Sequence, residues 1–194
     1  MNLICLDVDG VLCSHTSGYT LTPFNTINIC PFNIYSVQLL KELVDCEIIL
    51  HSTWRRKGSF QDLKQFFAHY GIFNLHHKIA ISPRDSEVEG IGKLYKENLI
   101  YKTYEKILVI DNSLGLLRKL KNEFPEILYC CTNEYIGFAF EDFILCKFLL
   151  ESSSQSSYSE LLSGNFEFNK NRWEFNNEQF SRIQTSAGRN TKKA

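Results

Sequence analysis

The sequence lacks an excess of charge of either sign, an apolar run long enough to cross a bilayer, the paired-cysteine spacing of a zinc site and a Walker glycine loop. Each absence excludes something. A formal net charge of -1 creates no global field to draw in nucleic acid or membrane. The cations are scattered apart from Trp54-Arg55-Arg56-Lys57, so a nucleic-acid partner would need a local basic patch. Without a spanning segment no membrane partner is expected, and Asp7 and Asp9 interrupt the amino terminus too early for a signal peptide. The 7 cysteines are odd in number and lie largely inside apolar runs, which predicts small core thiols in a reducing, cytoplasmic compartment. Neither His76-His77 nor Cys130-Cys131 has the spacing of a zinc site, and both read as local packing. Gly90-Ile91-Gly92-Lys93 has Glu87 where a Walker motif needs glycine and Leu94 where it needs Ser or Thr.

What is present is a chain of 194 residues, 44% hydrophobic, enough for one well-buried domain with extras. Apolar runs at Leu3 to Val8, Glu47 to His51 and Lys106 to Ile110 read as parallel strands, with a further short strand from Ile127 to Thr132. Helical periodicity lies between them. Asn33 to Asp45 puts Ile34, Val37, Leu40, Leu43 and Val44 on one face, and Ser59 to Tyr70 does the same with Phe60, Leu63, Phe66 and Phe67, with Ser59 as N-cap and Gly71 as C-cap. Further helices are predicted at about Glu89 to Leu99, Ser113 to Glu123 and Phe140 to Leu149. The alternation predicts an α/β fold, a Rossmann-like three-layer sandwich with a central parallel sheet. Cys13 to Phe32 fits neither period and reads as a loop or small β flap over the carboxyl end of the first strand. After Leu150 a Ser-rich run predicts that the domain occupies residues 1–150. Residues 151–194 would be linker and tail, with Phe166, Phe168, Trp173 and Phe175 as an aromatic docking segment and a disordered end.

Three strand ends carry the chemistry. They read Asp7-Val8-Asp9-Gly10-Val11, His51-Ser52-Thr53-Trp54 and Asp111-Asn112-Ser113. If the strands are neighbours, one sheet edge presents two carboxylates, then hydroxyls, then a third carboxylate, with Lys93 reaching in from the preceding helix. A phosphoester repels an attacking carboxylate, so such a site needs a divalent cation and donors on the phosphoryl oxygens. Asp7, the Asp9 main-chain carbonyl and Asp111 are the candidate Mg²⁺ ligands. Ser52 and Thr53 are the candidate phosphate donors, and Lys93 the neutralising cation. Asp7 would attack to form an acyl phosphate. Asp9 would protonate the leaving alkoxide and then deprotonate water, a contribution of roughly 10²- to 10⁴-fold.

These motifs resemble those of the haloacid dehalogenase (HAD) superfamily over about residues 1 to 145. Asp7-x-Asp9-Gly10-Val11 matches its first motif, Ser52 or Thr53 its second, Lys93 its third and Ile110-Asp111-Asn112 its fourth. The resemblance implies a phosphoaspartate mechanism with Mg²⁺. Ile49-Leu50-His51-Ser52-Thr53-Trp54-Arg55 is similar to the second motif of HAD domains associated with "Swiss army knife" RNA-repair proteins, which makes Arg55 a candidate substrate contact. Ile110-Asp111-Asn112-Ser113 resembles instead the small C-terminal-domain phosphatases that act on phosphoserine, which begin with a different first motif.

Two features depart from the commoner pattern. Asn112 stands where many members carry a second acid, leaving one fewer negative charge near the metal. Only about forty residues separate the second motif from Lys93, which leaves no room for a large cap domain. Capless members often accept bulky substrates. The leading expectation is therefore a Mg²⁺-dependent phosphatase acting on a nucleotide or nucleic-acid end, with a phosphoprotein phosphatase, or a catalytically weak HAD fold that binds a phosphorylated partner, as alternatives.

Overall fold

In Asn2–Leu6 (β1) all five residues are buried, and a strand with no solvent-facing side must be covered on both faces. The computed structural model, which describes residues 1–15, 20–22, 25–27, 29–56, 58–72, 86–151 and 175–176, places that strand inside a four-stranded parallel sheet. Its partners are Cys46–Leu50 (β4) on one side and Ile107–Asp111 (β5) on the other, with Leu128–Cys131 (β6) beyond β5. The order is β4-β1-β5-β6. Leu6 pairs with both Leu50 and Ile110, so the three strands end level with one another.

Alternation along β1 sorts the core into two layers. Ile4 and Leu6 join Val37 and Leu40 of α1 (Pro31–Leu43), Leu63 and Phe67 of α2 (Phe60–His69) and Leu145 and Leu149 of α5 (Phe140–Glu151). Leu3 and Cys5 join Ile91 of α3 (Glu87–Tyr101) and Leu117 and Leu120 of α4 (Leu114–Glu123). The result is the three-layer α/β sandwich that the alternating strands and helices predict. Full burial of each such side chain contributes about 1.5–3 kcal/mol.

Local signals explain the element boundaries. Pro31 occupies the first turn of α1, where its missing N–H costs nothing, so that helix starts two residues before the predicted Asn33 and shortens the flap. Capping boxes start α2 at Ser59 with Asp62 and α3 at Ser86 with Glu89, and the second moves the start of α3 ahead of the predicted Glu89. Ser113 caps α4 through the Leu116 N–H. Within α3, a Cβ on Gly92 would stand 2.7 Å from the Phe124 ring, so this glycine serves close helix packing. The flap contains an antiparallel pair, Thr20–Thr22 (β2) with Asn25–Ile27 (β3).

All seven cysteines lie among the described residues and none is in a disulfide. Among the described residues no helix is long and apolar enough to cross a membrane. His76-His77, the Ser-rich run and most of the aromatic tail lie outside the described residues; Phe175 is described, buried against the Tyr129 ring of β6.

Candidate active site

Because β1, β4 and β5 end level, the residues that follow them meet at one edge. Asp7 follows β1 and donates its backbone N–H to the Ile110 carbonyl at 3.0 Å, continuing the ladder one step. His51 follows β4, its N–H on the Leu6 carbonyl at 3.2 Å. Asp111 closes β5 opposite Cys131. The three strand ends expected to cooperate are thus neighbours, with β1 in the middle.

The chain then turns sharply after Asp7. The N–H groups of Val11, Leu12 and Cys13 all converge on the Val8 carbonyl, at 3.2, 2.9 and 2.9 Å. Gly10 takes φ +77°, and a Cβ there would lie 2.4 Å from the Asn112 side chain. Only glycine fits. Thr132 holds the same turn by donating its hydroxyl to the Gly10 carbonyl at 2.9 Å. Asn112, which replaces the second acid, thereby has a packing role against the first motif's glycine.

Two carboxylates are packed into this edge. The Asp111 side chain is only 4% exposed, and burial, opposed by His51 and reinforced by Asp7, pushes its carboxyl up to about 7. Asp7 is also held above the ordinary carboxylate range by burial, partly relieved by His51, by the Ser52 hydroxyl and by the Val8 N–H. His51 is fully buried, with Nε2 3.3 Å from the Ile110 carbonyl and 3.4 Å from Asp111 Oδ2. Its Nδ1 has no hydrogen-bond partner among the described residues. Nε2 faces two acceptors, the Ile110 carbonyl and Asp111 Oδ2, and is therefore the nitrogen that carries hydrogen. The other Asp111 oxygen, Oδ1, accepts from the Ser113 N–H at 2.6 Å.

The donor set fits a hard divalent cation. Among the described residues no three His, Cys, Asp or Glu side chains form a metal cluster. Two carboxylates and one main-chain carbonyl, with water completing the shell, is the kind of partial protein set that Mg²⁺ accepts. The Asp9 side chain does not join the two carboxylates: it is exposed, and Oδ2 accepts from the Trp54 indole N–H at 3.0 Å. That leaves its carbonyl as the candidate ligand.

The second motif is a short loop and 3₁₀ turn, Thr53–Arg56. Ser52 is buried and bonded to Asp7, whereas Thr53 is exposed. Arg55, expected to face the substrate, lies beneath this loop instead. Its guanidinium is fully buried, donates to the His51 and Ser52 carbonyls at 2.6 and 2.8 Å, and pairs with Glu87 at 3.6 Å. Pulling both carbonyls inward makes Arg55 a brace for the loop. Lys93 is exposed on α3, six residues beyond Glu87. That is about 9 Å along the helix and about 120° around it from the side chain that meets Arg55.

Sequence reasoning assigned no role to His51, Trp54 or Glu87. The available signals were a polar His ending an apolar run, and a Trp directly after the two hydroxyls. Glu87 carried none, because its partner is distant in sequence.

A family model described as "HAD domain in Swiss Army Knife RNA repair proteins" matches residues 3–109, more than half of the chain. The match starts in β1 and runs through the second motif into β5, stopping two residues short of Asp111. No curated protein and no solved structure matches the chain.

Proposed function

Because the chain belongs to the family of HAD domains in Swiss Army Knife RNA repair proteins, we propose that it is a Mg²⁺-dependent phosphohydrolase with Asp7 as nucleophile. The observation that carries this reading is the desolvation of half-buried Asp7 and buried Asp111 at adjacent strand ends, with the His51 ring 3.4 Å from Asp111. Two desolvated carboxylates destabilise a fold unless a ligand uses them.

Asp7, Asp111 and the Asp9 carbonyl would hold the ion, which when bound offsets the charge of the phosphoester and of the carboxylates around it. The chain's own residues do the rest. Asp7 attacks phosphorus while Asp9, within the same turn, gives its proton to the leaving oxygen. Asp9 then takes a proton from the water that cleaves the acyl phosphate, which restores Asp7. Ser52 and Thr53 present hydroxyl and N–H donors to the phosphoryl oxygens, on a loop braced by Arg55. Lys93 is assigned the neutralising role of the third motif.

The substrate we favour is the phosphorylated end of a nucleic-acid strand, or a nucleotide. The family description supports it, and so does the short stretch between the second motif and Lys93, which leaves the edge without a large cap. Phosphate release from 4-nitrophenyl phosphate, with and without Mg²⁺, tests the chemistry. Metal-dependent release abolished in Asp7→Asn is expected; release that persists in Asp7→Asn, or no release at any metal concentration, overturns the reading. Phosphorylated oligonucleotides, nucleotides and phosphopeptides then separate the substrate classes.

A further inference from the structure

Asp9 is the one carboxylate of the site that stands in water, yet it is tethered. The Trp54 indole N–H donates to its Oδ2 at 3.0 Å. Trp54 is itself fully buried, with its ring centroid 5.7 Å from that of Phe66 and 6.2 Å from that of Phe67, both on α2. Its backbone N–H donates to Ser52 Oγ at 3.4 Å. A rigid, core-packed ring therefore holds an exposed carboxylate by one oxygen. An N–H to a carboxylate is a charge-assisted bond, among the stronger kinds available to side chains. Indole nitrogen can only donate, so Oδ2 is held as an acceptor and a proton carried by Asp9 belongs on Oδ1.

We propose that Trp54 is a positioning residue for leaving-group protonation, holding Asp9 by Oδ2 so that Oδ1 is the atom that transfers the proton. The proposal rests on the phosphohydrolase reading. In the first step the bond from an Asp7 oxygen to phosphorus forms as the bond from phosphorus to the leaving oxygen breaks, and the proton on Asp9 Oδ1 moves to that oxygen. Asp9 is left as a carboxylate already bonded through Oδ2. In the second step water bonds to phosphorus, its proton goes to Asp9 Oδ1, and the bond between phosphorus and Asp7 breaks. The tether matters in proportion to the leaving group's need for a proton. A nitrophenolate departs without help, whereas more basic oxygens do not.

The test uses the full chain and a series of aryl phosphates whose leaving groups become more basic from 4-nitrophenyl to 4-methylphenyl. Trp54→Phe keeps an aromatic ring against Phe66 and Phe67 and deletes only the N–H. Its kcat/KM is expected to fall within about 3-fold of wild type on 4-nitrophenyl phosphate and by about 10-fold or more on the 4-methylphenyl ester. Asp9→Asn removes the proton-transfer group itself and should lose more on every ester, with the same steepening along the series, and Trp54→Phe should add little to it. An equal loss across the series would mean a packing role only and overturns the proposal. The indole N–H resonance reads the contact without turnover. In Asp9→Asn the Trp54 signal, assigned by its absence in Trp54→Phe, should move; an unmoved Trp54 signal also overturns the proposal. A wild-type chain inert on every ester overturns the phosphohydrolase reading itself and this assignment with it.

Discussion

His51 reaches from the end of β4 across β1 to Asp111 on β5, its Nε2 3.4 Å from Asp111 Oδ2. His51 favours the charged forms of half-buried Asp7 and buried Asp111 alike. It only partly offsets the desolvation that raises them. The remaining imbalance is what a divalent cation would relieve.

A pH dependence follows. The folded-state value of Asp111, about 7, lies above its unfolded reference near 3.8, so the folded chain binds more protons between those limits. Without metal, stability from this group is greatest at the acid end of that window and falls as pH rises through about 7. Mg²⁺ competes with those protons, and its stabilising effect should grow over the same range. Thermal unfolding with and without Mg²⁺ at pH 5.5 and 7.5 measures this. The larger Mg²⁺-induced rise in Tm is expected at pH 7.5, and Asp111→Asn should remove most of the difference.

Gly10 and Asn112 form a steric pair between the first and fourth motifs. Gly10→Ala places a Cβ 2.4 Å from the Asn112 side chain and forces an L residue to φ +77°. A loss of about 2 kcal/mol or more in chemical denaturation is expected. Gly10→Ala combined with Asn112→Ala should recover the steric part and keep the backbone part, so the double-mutant cycle gives a coupling of about 1 kcal/mol.

Arg55 braces the second-motif loop from a fully buried position, and its carboxylate partner Glu87 is 27% exposed. Removing the cation strands two carbonyls and a carboxylate, whereas Glu87→Gln leaves an amide that still meets solvent. Arg55→Met is expected to cost about 3–5 kcal/mol and Glu87→Gln about 1 kcal/mol, by denaturant titration. In the folded fraction, Glu87→Gln should raise KM for a phosphomonoester more than it lowers kcat, because the loop it steadies carries the proposed phosphate donors.

The pattern of apolar runs was sufficient to locate β1, β4, β5 and β6 within two residues, because strands buried on both faces leave few polar interruptions. The carboxylates were legible for a related reason: Asp7 and Asp111 end such runs, and a charge there is too costly to be incidental. Arg55 was misplaced by the same logic in reverse. An arginine after two hydroxyls looks solvent-facing in one dimension, and only the return of α3 brings Glu87 to it. Trp54 was hidden because its ring serves the core and its N–H serves the site. Asn112 looked like a missing acid until the turn at Gly10 was seen pressing on it.

Phe175 and Asn176 close the open edge of the sheet. Among the described residues β6 pairs with β5 on one side only, and Asn176 uses its carboxamide on the other, accepting from the Cys131 N–H at 3.0 Å and donating to the Cys131 carbonyl at 3.2 Å. A side chain thus occupies the main-chain groups that an adjoining strand would take. Phe175 seats beside it against Tyr129, with the Lys121 ammonium 4.8 Å from the ring centroid. Cys131 pairs directly with Asp111 on β5, so the clip lies one strand from the site. Phe175→Ala is expected to cost about 3 kcal/mol and Asn176→Ala about 1 kcal/mol in denaturant titrations. Asn176→Ala should also speed hydrogen exchange at the Cys131 amide more than at β1 amides, the signature of an edge opened locally rather than a fold weakened throughout. Uniform acceleration across the sheet would show that the clip supports the whole domain instead.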